Sequence, residues 1–252
     1  MDKLELSWRA EEACLNAWPA ARQAIVDGWL VRASGGPIRR TNSVNPQRLR
    51  GDDFDTLIAS CEDLYAAQGR PALFRILSIA AEIDAPLAAR GYAAEGRTLT
   101  LFADLAASAT LPAEADLTDA PDAAWLALRS QVNHEIPEAA SVFHAMTDLI
   151  LLPKIFAAVR VEGAPAAIAY GAIDRGMLVV ESVATAAELR GRGLAKQVVA
   201  AILDWGRRRG AGQACLQVVA DNGPAVAAYR RLGFTTELYD YHYRRARAEA
   251  IR

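Results

Sequence analysis

A short stretch in the second half of the chain combines two glycines with three basic side chains. It reads Arg-Gly-Arg-Gly-Leu-Ala-Lys over residues 190–196, between a β-branched apolar run and an amphipathic helix pattern. Glycine lets the backbone approach a ligand closely and adopt positive φ, and the N–H groups of a helix's first turn attract an anion. The stretch therefore predicts a pyrophosphate cradle, although a basic helix start after a tight turn would look the same. The cradle residues are Arg190, Gly191, Arg192, Gly193, Leu194, Ala195 and Lys196.

Other phosphate-binding and hydrolytic signatures do not fit this stretch. Lys196 stands where the dinucleotide fingerprint G-x-G-x-x-G would place its third glycine. The sequence contains neither the P-loop pattern G-x-x-x-x-G-K-[ST] nor a G-x-S-x-G nucleophile elbow. These absences argue against a dinucleotide-dependent enzyme, a P-loop enzyme and a serine hydrolase.

The segments around the cradle alternate between strand and helix patterns. Three apolar runs joined by short turns predict an antiparallel meander. Apolar side chains at spacings of three and four predict the helix that follows the cradle. The predicted strands are 156–161, 166–173, 177–185, 214–219 and 234 onward, and the predicted helices are 194–209 and 224–232. This order predicts an α+β fold with a mixed sheet.

The two halves of the chain align without a gap at an offset of 142 residues. Gly91-Tyr92 then falls on Gly233-Phe234, and the run 73–76 falls on 215–218. Two helix-strand-helix-strand units in one register indicate a duplication, against chance similarity of common αβ units. We predict domains over residues 1–105 and 123–252, joined by a linker rich in Ala, Pro and Asp over residues 106–122.

Composition restricts the class of protein. The formal net charge is −2 from 28 basic and 30 acidic residues, which argues against a nucleic-acid-binding protein. A hydrophobic fraction of 52% can bury a full core, but no stretch is long and apolar enough to predict a membrane span. Three widely spaced cysteines and the absence of a signal-peptide pattern predict a cytoplasmic protein without disulfides or zinc.

Residues 154–245 resemble the GCN5-related N-acetyltransferase (GNAT) superfamily. The signature Arg190-x-x-Gly193-x-Ala195 matches the pyrophosphate loop of that family. Asn222 and Ala225 followed by Tyr229 and Gly233-Phe234 match its second segment, in the expected order and spacing. The chain as a whole resembles a tandem member of the superfamily with an intact second half.

The resemblance implies acetyl-CoA as co-substrate and assigns roles to individual residues. The backbone of the strand segment Val183, Ala184 and Thr185 would pair with the pantetheine arm, and a strand N–H would polarise the acetyl carbonyl. Asn222 would hydrogen-bond the coenzyme arm. Tyr229 would protonate the departing thiolate, and its ordinary pKa of about 10, above the thiol's value of about 8.5, keeps its proton in place until then. Asn222 could instead be a turn residue and Tyr229 a core aromatic.

Glu181 is the candidate general base. It lies two and four residues before Val183 and Thr185, so regular strand alternation predicts that the three share one face. Its carboxylate could deprotonate an ammonium group directly or through water, or it could merely order water or pair with an arginine.

The first half departs from the family pattern at each ligand position. Asp53 falls on Ala195 and Leu87 on Tyr229, and Asp52 and Asp53 place negative charge where a pyrophosphate would lie. We predict a degenerate copy that supports the second half. Its polar segment 39–43 is interpreted as a solvated edge strand, with exposure to the acceptor site as the alternative.

The acceptor is expected to be the primary amine of a small molecule or peptide, attacked directly in a ternary complex. Eight acidic residues and one basic residue between Asp104 and Asp148 predict a negative field that attracts a cation, or merely a solvated segment. The acidic residues expected nearest the acceptor are Asp122, Glu135, Glu138 and Asp148. Neither a metal nor a nucleic-acid or membrane partner is expected, and a homodimer is compatible with this interpretation. The alternative functions are an inactive acyl-CoA-binding or regulatory protein and a purely structural tandem scaffold.

Overall fold

The computed structural model describes residues 2–106 and 114–247. Within them the helices are α1 Lys3–Ala17, α2 Phe54–Ala66, α3 Asp84–Ala89, α4 Ala123–Val132, α5 Pro137–Leu149, α6 Leu194–Arg208 and α7 Gly223–Arg231. The strands are β1 Gln23–Val26, β2 Trp29–Arg32, β3 Val44–Pro46, β4 Leu73–Leu77, β5 Ala93–Asp104, β6 Asp116–Thr118, β7 Lys154–Val161, β8 Ala164–Asp174, β9 Met177–Thr185, β10 Gln213–Val219 and β11 Thr236–Arg245. The mixed sheet with helices confirms the predicted α+β class.

Contacts between Cα atoms divide the chain into two compact units. The large unit comprises the described residues within 1–19, 100–218 and 222–238, and the small unit those within 20–99, 219–221 and 239–252. Every candidate site residue named above for the second half lies in the large unit.

In the large unit the strand order is β5, β10, β9, β8, β7 and β6. Strands β7, β8 and β9 pair antiparallel, which confirms the predicted meander, and β9 pairs parallel with β10. Parallel neighbours need a crossover connection, and α6 supplies it.

Helix α6 packs closely on the sheet through its apolar stripe. The positions expected to face the core, Leu194, Val198, Ala201, Ile202 and Trp205, are all buried. Gly171 on β8 makes this approach possible, because a Cβ there would lie 2.6 Å from Cγ2 of Ile202 and 3.1 Å from Cδ1 of Leu178. Because Gly171 has no side chain, α6 can lie this close to the sheet. The first turn of α6 follows the glycine stretch.

In the small unit the strand order is β1, β2, β3, β4, β11 and β5. One face of this sheet carries the apolar core, in which Trp29, Phe74 and Ile76 pack with side chains of α2 such as Leu57 and Ile58. Parallel pairing of β3 with β4 repeats the pairing of β9 with β10.

The offset of 142 residues holds for the observed elements. Shifted by it, α2 gives 196–208 and β4 gives 215–219, which coincide with α6 and β10. Likewise α3 gives 226–231 and β5 gives 235–246, beside α7 and β11. The two halves therefore have the same order of elements.

The compact units do not follow the predicted domain boundaries along the sequence. Helix α1 packs against β8 and β9 of the large unit, and the second half of β11, from Tyr241 to Arg245, pairs with β4 in the small unit. Within the predicted linker, residues 107–113 lie outside the described residues, whereas β6 pairs antiparallel with β7. Local patterns do not specify these long-range pairings.

The polar segment 39–43 is not a solvated strand. Arg39–Thr41 forms a 3₁₀ turn, and Thr41, Asn42 and Ser43 are buried. The interpretation as an exposed edge strand was therefore wrong, because the side chain of Asn42 satisfies the backbone of this turn instead of water.

A substitution at Gly171 tests the close approach of α6 to β8. We expect Gly171→Ala to lower the free energy of unfolding by about 1–3 kcal/mol, because the new methyl group overlaps Ile202. Gly212→Ala is the matched control, since a Cβ at Gly212 meets no atom within 4 Å. Urea denaturation of both variants measures the difference, and equal stabilities would contradict the packing argument.

Candidate active site

The ladder between β9 and β10 ends partway along both strands. Its register runs from Met177 opposite Gln213 to Val180 opposite Leu216, although β9 continues to Thr185 and β10 to Val219. The parallel strands therefore diverge after Val180. The segment 181–185, which includes the residues predicted to face a coenzyme arm, borders the opening.

A β-bulge at Ser182 changes which face of β9 each side chain occupies. Tyr170 pairs with Glu181 and Ile168 with Ala184, so the one residue between these pairs on β8 opposes two residues on β9, and Ser182 has φ +53°. Paired residues share a face, and Ile168 and Tyr170 share theirs, so Glu181 lies on the face of Ala184. Regular alternation with Val183 and Thr185 was the wrong expectation, because the bulge inserts one extra residue.

The glycine stretch forms an exposed turn directly before α6. Gly191 and Gly193 have φ of +79° and +78°, and a Cβ at either would meet no protein atom within 4 Å. Gly193 is the N-cap residue of α6 and provides no side-chain cap. The exposed side chains of Arg190, Arg192 and Lys196 form no ion pair with any residue in the described part of the chain. These open backbone donors and unneutralised charges fit a pyrophosphate.

Asn222 begins helix α7 in the large unit. Its side-chain oxygen accepts a hydrogen bond from the backbone N–H of Ala225 at 3.2 Å, so Asn222 is an N-cap. The cap uses the Oδ1 atom, whereas the Nδ2 amide remains a donor that can face a ligand. Structural and binding roles of Asn222 are therefore compatible.

Tyr229 lies on α7 with its ring packed edge-on against Phe234, at 6.3 Å between centroids. Burial raises the pKa of the Tyr229 hydroxyl well above its ordinary value, and the charge of Glu181 raises it further. The phenol thus stays protonated at neutral pH. A phenolate binds a proton more tightly than a thiolate does. The Tyr229 hydroxyl therefore first donates a hydrogen bond to a sulfur anion.

Arg129 is a candidate site residue that the sequence did not predict. Its Nη1 atom lies 2.6 Å from the Glu135 carboxylate and its Nε atom 3.4 Å from Oγ of Ser182. The guanidinium lies 3.3 Å from the ring centroid of Phe143 and is buried, and burial lowers the pKa of Arg129. The signal in the sequence was a lone basic residue in an acidic segment. Arg129 thus brings a positive charge to the bulge.

The equivalent helix start in the small unit is filled by carboxylates. Asp53 is the N-cap of α2 and accepts from Oγ1 of Thr56 at 2.7 Å and from its N–H at 3.2 Å. The hydroxyl bond from Thr56 holds the pKa of Asp53 below its ordinary value. A Cβ on Gly51 would overlap the Asp27 carboxylate, at 1.5 Å from Oδ2. Charge and space at this turn are thus unfavourable for a pyrophosphate.

Two of the four acidic residues expected near the acceptor have basic partners. Asp122 pairs with Arg160 at 2.7 Å, and Glu135 holds Arg129. Glu138 and Asp148 are exposed. The expected negative field therefore has fewer unneutralised charges than the sequence alone predicts.

The remaining polar groups add no second centre to the large unit. Over residues 2–106 and 114–247, no three His, Cys, Asp or Glu side chains are grouped as metal ligands. In the same ranges no helix has the length and apolar character needed to cross a bilayer. His134 and His144 are exposed, and the buried thiols of Cys14 and Cys215 lie 3.8 Å apart, within S–H···S hydrogen-bonding distance, and form no disulfide.

Comparison with known proteins extends over nearly the whole chain. Residues 8–245 match the family described as "Probable histone acetyltransferase Rv0428c C-terminal". The chain is 25% identical over 247 residues to the uncharacterized N-acetyltransferase YobR of Bacillus subtilis, covering 94% of this chain and 97% of that protein.

Solved structures of GNAT proteins have the same fold. A GCN5-related N-acetyltransferase from Kribbella flavida superimposes with a TM-score of 0.69 at 16% identity, covering 97% of this chain and 96% of its own. A tandem GNAT protein from the clavulanic acid biosynthesis pathway gives 0.64 at 15% identity, covering 97% and 93%. With the family match over residues 8–245, the chain belongs to the Rv0428c C-terminal acetyltransferase family of the GNAT superfamily and is an acyltransferase.

Proposed function

We propose that the protein transfers the acetyl group of acetyl-CoA to a primary amine by direct attack in a ternary complex. The observation that carries the proposal is the opening between β9 and β10 beside the uncapped start of α6. An extended thioester arm can enter such an opening as an added strand, while the helix start accepts its pyrophosphate. No cysteine lies near the cradle in sequence, so the proposal includes no acyl-enzyme.

Residues of the large unit would hold acetyl-CoA at three places. The cradle over residues 190–196 would bind the pyrophosphate through backbone N–H groups and basic side chains. Backbone groups of Val183, Ala184 and Thr185 would face the pantetheine arm, and the Nδ2 amide of Asn222 would donate to it. The thioester so bound supplies an activated acetyl group.

The reacting groups would meet around the bulge at Ser182. Glu181 would accept the ammonium proton, directly or through water, and Tyr229 would donate a hydrogen bond and then a proton to the leaving sulfur. A backbone N–H of the bulged strand would polarise the acetyl carbonyl. The buried charge of Arg129 would stabilise negative charge that develops there, since attraction is stronger where water is excluded.

Thiol release from acetyl-CoA is the direct test of this proposal. Purified protein would be offered small primary amines and, because the matched family is described as a histone acetyltransferase, lysine-containing basic peptides. Amine-dependent release of the thiol with an equal amount of acetylated amine supports transfer. Saturable acetyl-CoA binding without release for any amine would favour the inactive binding protein instead.

Gly193→Asp tests the location of the cradle. We expect it to abolish detectable acetyl-CoA binding in calorimetry, because a carboxylate enters the space in front of the first turn of α6. Gly210→Asp is the matched control at the other end of the same helix, with φ of +83° and equally open space. It introduces the same charge and backbone strain and should retain binding. Two coenzymes bound per chain would contradict a single site.

Tyr229→Phe tests the acid role. We expect kcat to fall by about 10²–10⁴-fold with little change in acetyl-CoA affinity, because the ring can keep its contact with Phe234. The raised pKa of Tyr229 also predicts that the wild-type rate shows no alkaline loss from this group below about pH 10. Stopped-flow measurement of the chemical step provides the readout, and an unchanged rate there would remove Tyr229 from the mechanism.

Substitutions at Glu135 and Glu138 distinguish a carboxylate that stabilises the fold from one that attracts a cationic acceptor. We expect Glu135→Gln to lower the free energy of unfolding by about 3 kcal/mol, because it weakens the pairing of the buried Arg129 charge. Glu138→Gln should cost less than about 1 kcal/mol but raise the acceptor KM at low salt if the acceptor is cationic. Urea denaturation and initial rates at two salt concentrations check both, and a KM indifferent to salt and to Glu138 would contradict attraction of a cation.

A further inference from the structure

A pocket in the small unit is surrounded by arginine side chains that the proposed acetyl transfer does not use. Arg39, Arg70 and Arg245 line it together with Asn42, two prolines and one leucine. Its cavity volume is about 30 Å³, and it opens to solvent. Part of its wall comes from Arg39 and Asn42 of the polar segment 39–43.

The charges around this pocket do not balance. Glu95 lies 2.7 Å from Nη2 of Arg245 and 3.4 Å from Nη1 of Arg39. Arg70 donates from Nη2 to the carbonyl oxygen of Gly36 at 2.5 Å and has no ion-pair partner among the described residues. Three guanidinium groups therefore meet one carboxylate, which leaves an excess of two positive charges in a concave surface.

The basic side chains are held in place before any ligand arrives. Asn42 fixes the turn by donating from Nδ2 to the carbonyls of Gly35 at 2.7 Å and Ile38 at 2.8 Å. The Arg39 guanidinium lies 4.9 Å from the ring centroid of Tyr243. It also lies close to Gly96, because a Cβ at Gly96 would come within 2.5 Å of Nη1 of Arg39. A preformed site loses less conformational entropy when it binds.

We propose that this pocket binds an oxyanion, the carboxylate or phosphate group of a small ligand. Guanidinium groups present planar forks of N–H donors that match both oxyanions, and each carries five donors. Glu95 and the Gly36 carbonyl occupy only a few of those donors. The site is separate from the cradle over residues 190–196, because none of its lining residues belongs to that stretch.

Binding of inorganic phosphate tests the proposal. Calorimetry at constant ionic strength, with chloride as the balancing anion, should show saturable binding with one site per chain. We expect Arg70→Gln to weaken it on the order of tenfold or more, since a charge-assisted hydrogen bond is lost. Arg22→Gln, an exposed residue of the same unit that does not line the pocket, makes the same charge change and should leave binding unaltered.

A second variant excludes the other candidate anion site. Gly193→Asp should retain phosphate binding, because the pocket lies in the small unit. Acetate in a parallel titration shows whether a carboxylate binds as well as phosphate. Absence of saturable binding of either anion, equal weakening in Arg70→Gln and Arg22→Gln, or loss in Gly193→Asp would each overturn the proposal. None of these outcomes depends on whether the protein transfers acetyl groups.

Discussion

The early end of the ladder between β9 and β10 is the constraint on which the rest of the candidate site depends. If the two parallel strands were hydrogen-bonded along their whole length, their facing backbone groups would all be paired. No backbone donor or acceptor would then be left between them for an extended ligand. Because pairing stops after Val180 and Leu216, the strands part where Glu181 and the bulge begin. The crossover from β9 to β10 must then start beside this opening, which brings the first turn of α6 to it.

The buried positive charge of Arg129, near the bulge that borders the opening, depends on its pairing with Glu135. Burying the Arg129 guanidinium costs free energy that its pairing with Glu135 offsets, and the aromatic ring of Phe143 adds a favourable face. The pair therefore cannot be treated as two surface charges. This explains why an acidic count along the segment overstates the field that an acceptor meets: one of its carboxylates is needed inside the protein.

Local patterns predicted the elements that carry the site, with bounds within two residues for β7 to β10 and for α6 and α7. Apolar periodicity and turn glycines are properties of neighbouring residues, so they can be interpreted without a partner strand. The bulge at Ser182, the contact of Arg129 with it and the pairing of β11 with β4 depend on register and on distant segments. None of these has a local signal, and the face of Glu181 was mispredicted for that reason.

The two equivalent helix starts show how a repeated scaffold can have opposite chemistry at one position. In the small unit Asp53 caps α2 with its own carboxylate, so the first turn is satisfied from within the chain. In the large unit Gly193 leaves the first turn of α6 without a side-chain cap, at a cost of only a few tenths of a kcal/mol relative to a polar cap. An open turn therefore lowers the folding stability only slightly. Its effect on the binding of an anion is large, because unpaired donors replace a fixed negative charge. A difference this small in folding energy leaves open donors at one helix start and a fixed carboxylate at the other.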